Sequence, residues 1–394
     1  MAGAAMAYDV AIVGAGPAGS IAALVLARRG LRVALVVDAV RGGGNPRRGE
    51  TLAPAAAAAV SRLGLSDEMA RLHMPCVSGF RSRWGSARVA TRPALLVPDA
   101  KSMAVDRGLF DATIRDAAIA AGAVMLTAFV RGVRPGRRGW DVSLGQKGNI
   151  AAHFVIDAAG RGARFARRVG ARLAVVDELV AITAVLAPDE GDADRTVEIE
   201  SHPNGWLFST LDADGSRIVS FFTDRDLFPG HMLKHPGALL DRILARSQFV
   251  PLRAASQRRS SMRLWPAATL FLDNAVCSGL MAIGDAAQTR DPLSSQGIAA
   301  AIEDAESAAT ALLSAVDGDS VAIEQHEQQR QQKIVGYLRE RQKHYAAERR
   351  WANSPFWQRR QSIALLTTKP LQRGPAPRTR SRPLAEDTEA LPHG

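Results

Sequence analysis

Apolar and polar positions change their spacing several times along this chain, and each change predicts an element. From Tyr8, the run VAIV (residues 10–13) is continuously apolar and reads as a buried strand. Gly14, Gly16 and Gly19 follow, then an amphipathic helix, then a second apolar strand that ends at Asp38. A Gly/Pro/Arg-rich stretch, RGGGNPRRGETLAP, leads into another helix. Residues 104–123 carry Leu109, Phe110, Ile114 and Ala118 at helical spacing, with Arg107 near the start. The stretch HFVIDAAGRGARFARRVGA (153–171) reads as a strand ending at Asp157, with Gly160 and Gly162 beyond it. LMAI then runs into a turn at Gly284–Asp285, a loop through Pro292 to Gly297, and a long Ala-rich helix from Ile298 onward. Before it, Trp206, Phe208, Phe221 and Phe222 lie in alternating, strand-like segments: they line a cavity or form ordinary sheet core. Near the C-terminus, Ile334, Tyr337, Leu338 and Tyr345 make a partial apolar stripe on one long helix, surrounded by arginines. The order of elements places the chain in the α/β class, and no internal repeat interrupts it.

Composition narrows the class only a little. The 394 residues are 47% hydrophobic and 23% charged, as in ordinary soluble globular proteins. No run approaches the roughly 18–20 apolar residues that span a bilayer. The N-terminus has no basic n-region and leads straight into a strand, so the expected location is cytoplasmic, without a signal peptide or membrane span. Cys76 and Cys277 stand far apart without a CxxC pattern, which points to free thiols and to no metal site. The formal charge of +11 is concentrated: residues 330–382 hold 14 Lys or Arg against Glu340 and Glu348, a net of +12. The rest is close to neutral, so nucleic acid is not an expected partner. Residues 366–394, Pro- and Arg-rich with few apolar positions, are expected to be disordered. The basic C-terminal segment either packs on the body as solvated helix and tail or offers a docking face for a protein partner.

The chemistry begins with the first strand–helix–strand unit. Gly14 suits a tight turn, Gly16 lets the backbone approach a diphosphate, and Gly19 lets the helix pack on the sheet. The helix N-terminus behind Ala15, Pro17 and Ala18 presents unpaired N–H groups to an anion. Asp38, nineteen residues after Gly19, is placed for a ribose hydroxyl. A lone GxGxxG is weak; strand, glycines, helix, strand and terminal acid together specify a dinucleotide. Asp285 has two readings, an N-cap on the following helix or a ligand for a polyol. Glu50, with Arg48 as the charge partner that would keep it ionised, is a candidate contact to cofactor or substrate. His202 is either an acid–base group or a loop histidine with no chemical role.

These motifs together resemble the FAD-dependent monooxygenases with the glutathione-reductase-type, Rossmann-like fold, the class that includes para-hydroxybenzoate hydroxylase. The resemblance implies that Gly14, Ala15, Gly16, Pro17, Ala18, Gly19 and Asp38 hold the adenosine diphosphate half of FAD. By the same resemblance Arg107 lies near the diphosphate, Asp157 and Gly160 form the middle motif, and Gly284 and Asp285 hold the ribityl chain, with Arg48 a further cofactor-binding candidate. Pro292, Gly297 and Ile298 bring a helix N-terminus beside the flavin ring. RRGETLAPA, PNGWLFSTLDADGSRIVSFFTDRDL, DPLSSQG and YAAERRWANSPFWQRR are further similar to tryptophan halogenases and to flavoproteins that mature protein-derived quinone cofactors. A halogenase needs a lysine after the GE loop; this chain has none before Lys101, and Arg81 stands in SGFRSRWGS where it would fall. Arginine stays protonated and cannot act as that nucleophile. The usual Trp-x-Trp-x-Ile-Pro segment is reduced to NGWLFST. The expected reaction is therefore hydroxylation of an aromatic substrate, a small molecule or a tryptophan in a partner protein, with O2 and a flavin C4a-hydroperoxide. Glu50, Trp206 and Pro292 are its candidate catalytic residues. Electrons come from NAD(P)H or a separate flavin reductase, since only one GxGxxG is present. Two other functions stay open: reduction of an unsaturated lipid or polyketide, as in the similar geranylgeranyl reductases, and non-catalytic FAD binding. The expected organisation is a discontinuous FAD-binding domain (1–75, 101–172 and 270–320), a β-sheet substrate domain (76–100 and 173–269), and C-terminal helices (321–365).

Overall fold

The computed structural model describes residues 7–38, 48–94, 101–137, 139–188, 191–228, 235–249 and 259–362. Most of the Gly/Pro/Arg loop before Arg48 and the expected disordered tail, 366–394, lie outside these residues. Among the described residues, no helix is long and apolar enough to cross a membrane.

The first apolar run is the strand Ala7–Val13, at the centre of an eight-stranded sheet. It pairs in parallel with Val33–Val37 on one side and with Asn149–Asp157 on the other. The strand is continuously apolar because both of its faces are covered. Val10 and Ile12 pack under the helices Pro17–Arg28, Arg107–Ala120 and Gly297–Val316, through Ile21, Leu24, Phe110, Ile114 and Ile302. Ala11 and Val13 face the hairpin built from Gly132–Gly136 and Gly139–Ser143, where Trp140 and Val142 are buried. Helix Arg107–Ala120 starts three residues later than the sequence pattern suggests. Asp106 caps it, accepting from the Leu109 N–H at 3.1 Å. Leu109 is 54% exposed. The buried stripe runs through Arg107, Phe110, Ile114 and Ala118 instead, and Leu109 points about 100° away from it.

A seven-stranded sheet forms the second layer of structure. Its order is Arg259–Pro266, Leu179–Leu186, Arg217–Asp224, Gly205–Leu211, Thr196–His202, Gly79–Arg83, Ala90–Pro93. Only the pairing of Thr196–His202 with Gly79–Arg83 is parallel. Side chains alternate between the faces, so the adjacent residues Phe221 and Phe222 belong to different cores. Phe221 meets helix Pro236–Leu244 through Leu239 and Leu240. Phe222 and Trp206 meet Tyr345, Phe356 and Trp357 from the C-terminal helices. Those helices are Ala322–Ala346 and Pro355–Gln361, separated by a turn. The expected apolar stripe is mixed: Ile334 and Tyr345 are buried, but so are Arg330 and Arg341.

Candidate functional site

The site grows from the ends of parallel strands. Val13 and Asp157 are register partners, so the turns that follow both strands emerge side by side. Gly14 adopts φ +110°, and a side chain there would meet the Ala158 carbonyl at 2.3 Å. Only glycine satisfies both conditions. At Gly19 a Cβ would lie 1.9 Å from the Gly14 carbonyl, so the helix rests directly on its own turn. Gly16 differs: apart from its own chain neighbours and helix backbone, no atom of the described residues lies within 4 Å of the place a Cβ would occupy. Gly16 is also the N-cap of helix Pro17–Arg28 and supplies no side chain to its free N–H groups, which leaves an open, positively polarised hollow. Ala15 is partly buried against this core, and Asp38 is half-buried at the end of Val33–Val37. Gly160, at φ +83°, likewise faces open space.

The late turn closes the cradle. Gly284 (φ +57°) approaches Ala18 so closely that a Cβ would meet the Ala18 Cβ at 2.6 Å. Its N–H donates to Asp304 Oδ2 at 2.7 Å. Asp285 is half-buried on this turn. It does not cap the following helix: Gln296 is the N-cap of Gly297–Val316, without a side-chain hydrogen bond, so this helix too carries free N–H groups. That removes the N-cap reading of Asp285. Asp285, Gly284, Gln288, Arg290 and Gly297 border one small hollow. The Ile298 side chain is buried in the core, so only its backbone can face a ligand. Pro292 opens a short turn anchored by Asp291, whose Oδ1 accepts from Leu293 N–H at 3.0 Å.

Several expected site residues have other tasks. Asp157 is wholly buried, and its oxygens accept from the N–H groups of Ala159 (3.1 Å), Phe165 (2.9 Å) and Ala166 (3.0 Å). Burial pushes its pKa up against those amides. It shapes the turn through Gly160 rather than offering its carboxylate outward. Arg48 does not pair with Glu50. Its partners are Asp212 and Asp214, the latter at 2.6 Å, in the hairpin turn between Gly205–Leu211 and Arg217–Asp224. Glu50 is instead held by Arg107 (2.5 Å), which also forks onto Asp111 at 3.0 Å through both Nε and Nη2. Burial opposes the Arg107 charge, but the two carboxylates outweigh it and keep the guanidinium charged. Among the described residues Trp206 is fully enclosed, stacked on Phe222 with ring centroids 4.0 Å apart, and donates to the Tyr345 hydroxyl at 3.2 Å. Its ring is sheet core because the C-terminal helices cover that face. His202 ends a strand rather than lying in a loop. It is buried, with Nε2 3.8 Å from Glu200.

The sequence reading missed a set of side chains that fix the Pro292 turn. Asp291 Oδ2 accepts from Arg341 Nε (3.0 Å) and Tyr345 Oη (2.9 Å), and its N–H donates to Tyr337 Oη at 2.5 Å. Arg341 also reaches Asp177 at 2.6 Å. Nothing local marks these residues. Asp304 did carry a signal: it is an acid seven positions after Gly297, on the small-residue face of an apolar helix.

The cradle suits an elongated dinucleotide with two anionic regions, because two helix N-termini without side-chain caps open onto space that glycines keep clear. The family model described as FAD binding domain matches residues 7–338. LodB of Marinomonas mediterranea, which bears the name of an FAD-dependent oxidoreductase, is 25% identical over 377 residues, 91% of this chain and 98% of LodB. Among solved structures, the peptidyl tryptophan dihydroxylase QhpG, essential for tryptophylquinone cofactor biogenesis, has a TM-score of 0.74 at 23% identity. That match covers 91% of this chain and 79% of QhpG. The myxobacterial chondrochloren halogenase CndH has a TM-score of 0.77 at 21% identity, covering 90% of this chain and 86% of its own. By the extent of the family match, the chain belongs to the FAD binding domain family and is an FAD-dependent oxidoreductase, with a fold matching those of flavin monooxygenase and halogenase structures.

Proposed function

We propose that this protein uses O2 to hydroxylate an aromatic ring, and that the ring is a tryptophan side chain carried by a partner protein. The observation that carries hydroxylation over halogenation is the state of Arg81. It stands where the halogenase lysine would fall, donates to Glu198 at 2.7 Å and contacts Asp194 at 3.3 Å. A guanidinium tied to two carboxylates has neither the free electron pair nor the mobility to carry a halogen. The name of QhpG, a peptidyl tryptophan dihydroxylase, supports a protein-borne tryptophan.

FAD, when bound, supplies two-electron redox chemistry and oxygen activation. The chain's own residues bind and orient it. The N–H groups at Gly16 and the first turn of Pro17–Arg28 receive the diphosphate, Asp38 the ribose, and Asp285 the ribityl hydroxyls. The helix beginning at Gly297 directs its positive end towards the ring and favours negative charge there. Glu50 and Arg107 brace the adjoining loop as an ion pair. The eight-stranded sheet with its helices is the cofactor-binding domain, the seven-stranded sheet presents the substrate, and the basic C-terminal segment docks the partner. NAD(P)H or a separate reductase provides the electrons.

The test begins with FAD-loaded protein reduced without oxygen. It is then mixed rapidly with buffer containing heavy-isotope oxygen and a panel of tryptophan-containing peptides and proteins. A transient absorbing to the blue of oxidised flavin, followed by heavy oxygen on a tryptophan ring, is the expected result. Hydrogenation of an unsaturated lipid without oxygen would move the protein to the reductase reading instead.

A further inference from the structure

Behind the Gly284–Asp285 turn lies a group of buried polar side chains that cofactor contact does not explain. Asp304 sits in the middle of helix Gly297–Val316 and is 7% exposed. Its Oδ2 accepts the Gly284 N–H, and its Oδ1 lies 3.9 Å from His326 Nε2 on the next helix. His326 is 5% exposed, and its Nδ1 shares a hydrogen bond with Ser307 Oγ at 2.9 Å. From these contacts we infer that Asp304 and His326 are positioning residues for the cofactor turn: His326 orients Asp304, and Asp304 sets where Gly284 places Asp285.

A carboxylate inside an apolar helix face is unfavourable unless it meets a need there. The need here is the Gly284 N–H. Gly284 is held in a left-handed conformation with Ala18 against its α-carbon, so the turn cannot rotate to find another acceptor. Without Asp304 a buried donor would be stranded at the residue beside Asp285. The hollow that borders Gly284, Asp285 and Gly297 shares Gln288, Arg290 and Ala300 with the hollow that borders Asp304, Ser307 and His326. The two are adjoining parts of one polar seam between the turn and the helix pair. Burial pushes the Asp304 carboxyl up and the His326 imidazole down, while the charge of each favours the charged form of the other.

The inference rests on the reading of Asp285 as a cofactor ligand, and the variants separate the two. Full-length apoprotein is titrated with FAD, following flavin fluorescence for affinity and visible circular dichroism for the ring's environment. Asp304→Ala is expected to weaken FAD binding by at least about tenfold and to alter the dichroism. Asp304→Asn keeps an acceptor oxygen and is expected to restore both readouts to within about threefold of wild type. His326→Ala should give a smaller loss, and the double variant Asp304→Ala/His326→Ala should bind no worse than Asp304→Ala, since His326 acts through Asp304. Asp285→Ala tests the underlying reading. If it weakens FAD while Asp304→Asn and His326→Ala both bind normally and Asp304→Ala loses only thermal stability, the positioning role is overturned. If Asp285→Ala leaves affinity unchanged, the reading of the turn itself fails. Should Asp304→Ala not fold, an unaltered dichroism and affinity in His326→Ala would by itself overturn the relay.

Discussion

The cofactor cradle and the C-terminal clamp are built on opposite terms. The cradle is made of backbone and small residues, Gly14, Gly16, Gly19 and Gly284, and it leaves helix N–H groups and open space for a ligand. The clamp, where Ala322–Ala346 and Pro355–Gln361 cover the seven-stranded sheet, uses large side chains and charged pairs packed against one another. Trp206, Phe222, Tyr345, Phe356 and Trp357 interlock around the ion pairs Arg341–Asp291 and Arg360–Asp224. Arg360 forks onto Asp224 at 2.6 and 2.9 Å and lies 3.8 Å from the centre of the Phe356 ring. A site that must admit a molecule keeps donors unpaired. A site that must hold two elements together pairs them. Asp291 belongs to both, because it anchors the Pro292 turn while being gripped by Arg341 and Tyr345.

That contrast is open to attack by substitution. The largest effect is expected in the clamp: Arg360→Ala leaves the buried Asp224 carboxylate with only the half-exposed Arg359, at 3.1 Å, and should cost about 3 kcal/mol in urea unfolding. Replacing the pair with apolar groups, as Arg360→Met/Asp224→Leu, should recover much of that loss; no recovery would mean the helix is held by something other than this pair. Next comes Glu200 on the same sheet. Burial pushes its pKa up, but the neighbouring His202 ring at 3.8 Å and hydrogen bonds from Ser247, Arg83 and the Gln248 N–H outweigh burial and bring it from 4.5 to about 2. A depressed carboxyl stabilises the fold fully above pH 4.5, and that contribution is lost as pH falls from 4.5 towards 2. Stability measured against Glu200→Gln should therefore show a gap of roughly 3 kcal/mol near neutral pH that closes across this window. A gap independent of pH would assign Glu200 a packing role only.

Gly16→Ala probes the cradle from the other side. Nothing among the described residues obstructs the added methyl, so stability should change by less than about 1 kcal/mol, while FAD affinity falls at least about tenfold. Lost stability with intact binding would break the distinction between the two regions. The smallest expected effect is Tyr345→Phe, which removes the hydroxyl between Trp206 and Asp291 and should cost about 1 kcal/mol in thermal or urea unfolding.

What could be read in the sequence follows the same division. The strand–glycine–helix–strand unit ending at Asp38 and the Gly284–Gly297 turn were legible because their parts are consecutive. The conformations they require exclude most other residues. Side-chain roles settled by distant partners were not legible. Arg48 resembles a neighbour for Glu50 until Asp212 and Asp214 are placed beside it, and Asp157 resembles a ligand-facing acid until Phe165 and Ala166 turn their N–H groups towards it. Trp206 sits in an alternating pattern that fits a cavity wall and a core equally well. The choice was made by Tyr345 and Trp357, more than a hundred residues later.

The sequence alone therefore determined the α/β class and the glycine turns of the candidate dinucleotide cradle, since local backbone sterics and helix-end polarity depend only on near neighbours. Only the tertiary structure decided which charged and aromatic residues face the cradle and which hold the C-terminal helices in place. Ion pairing and ring packing act over a few ångströms in space, however far apart their residues lie along the chain.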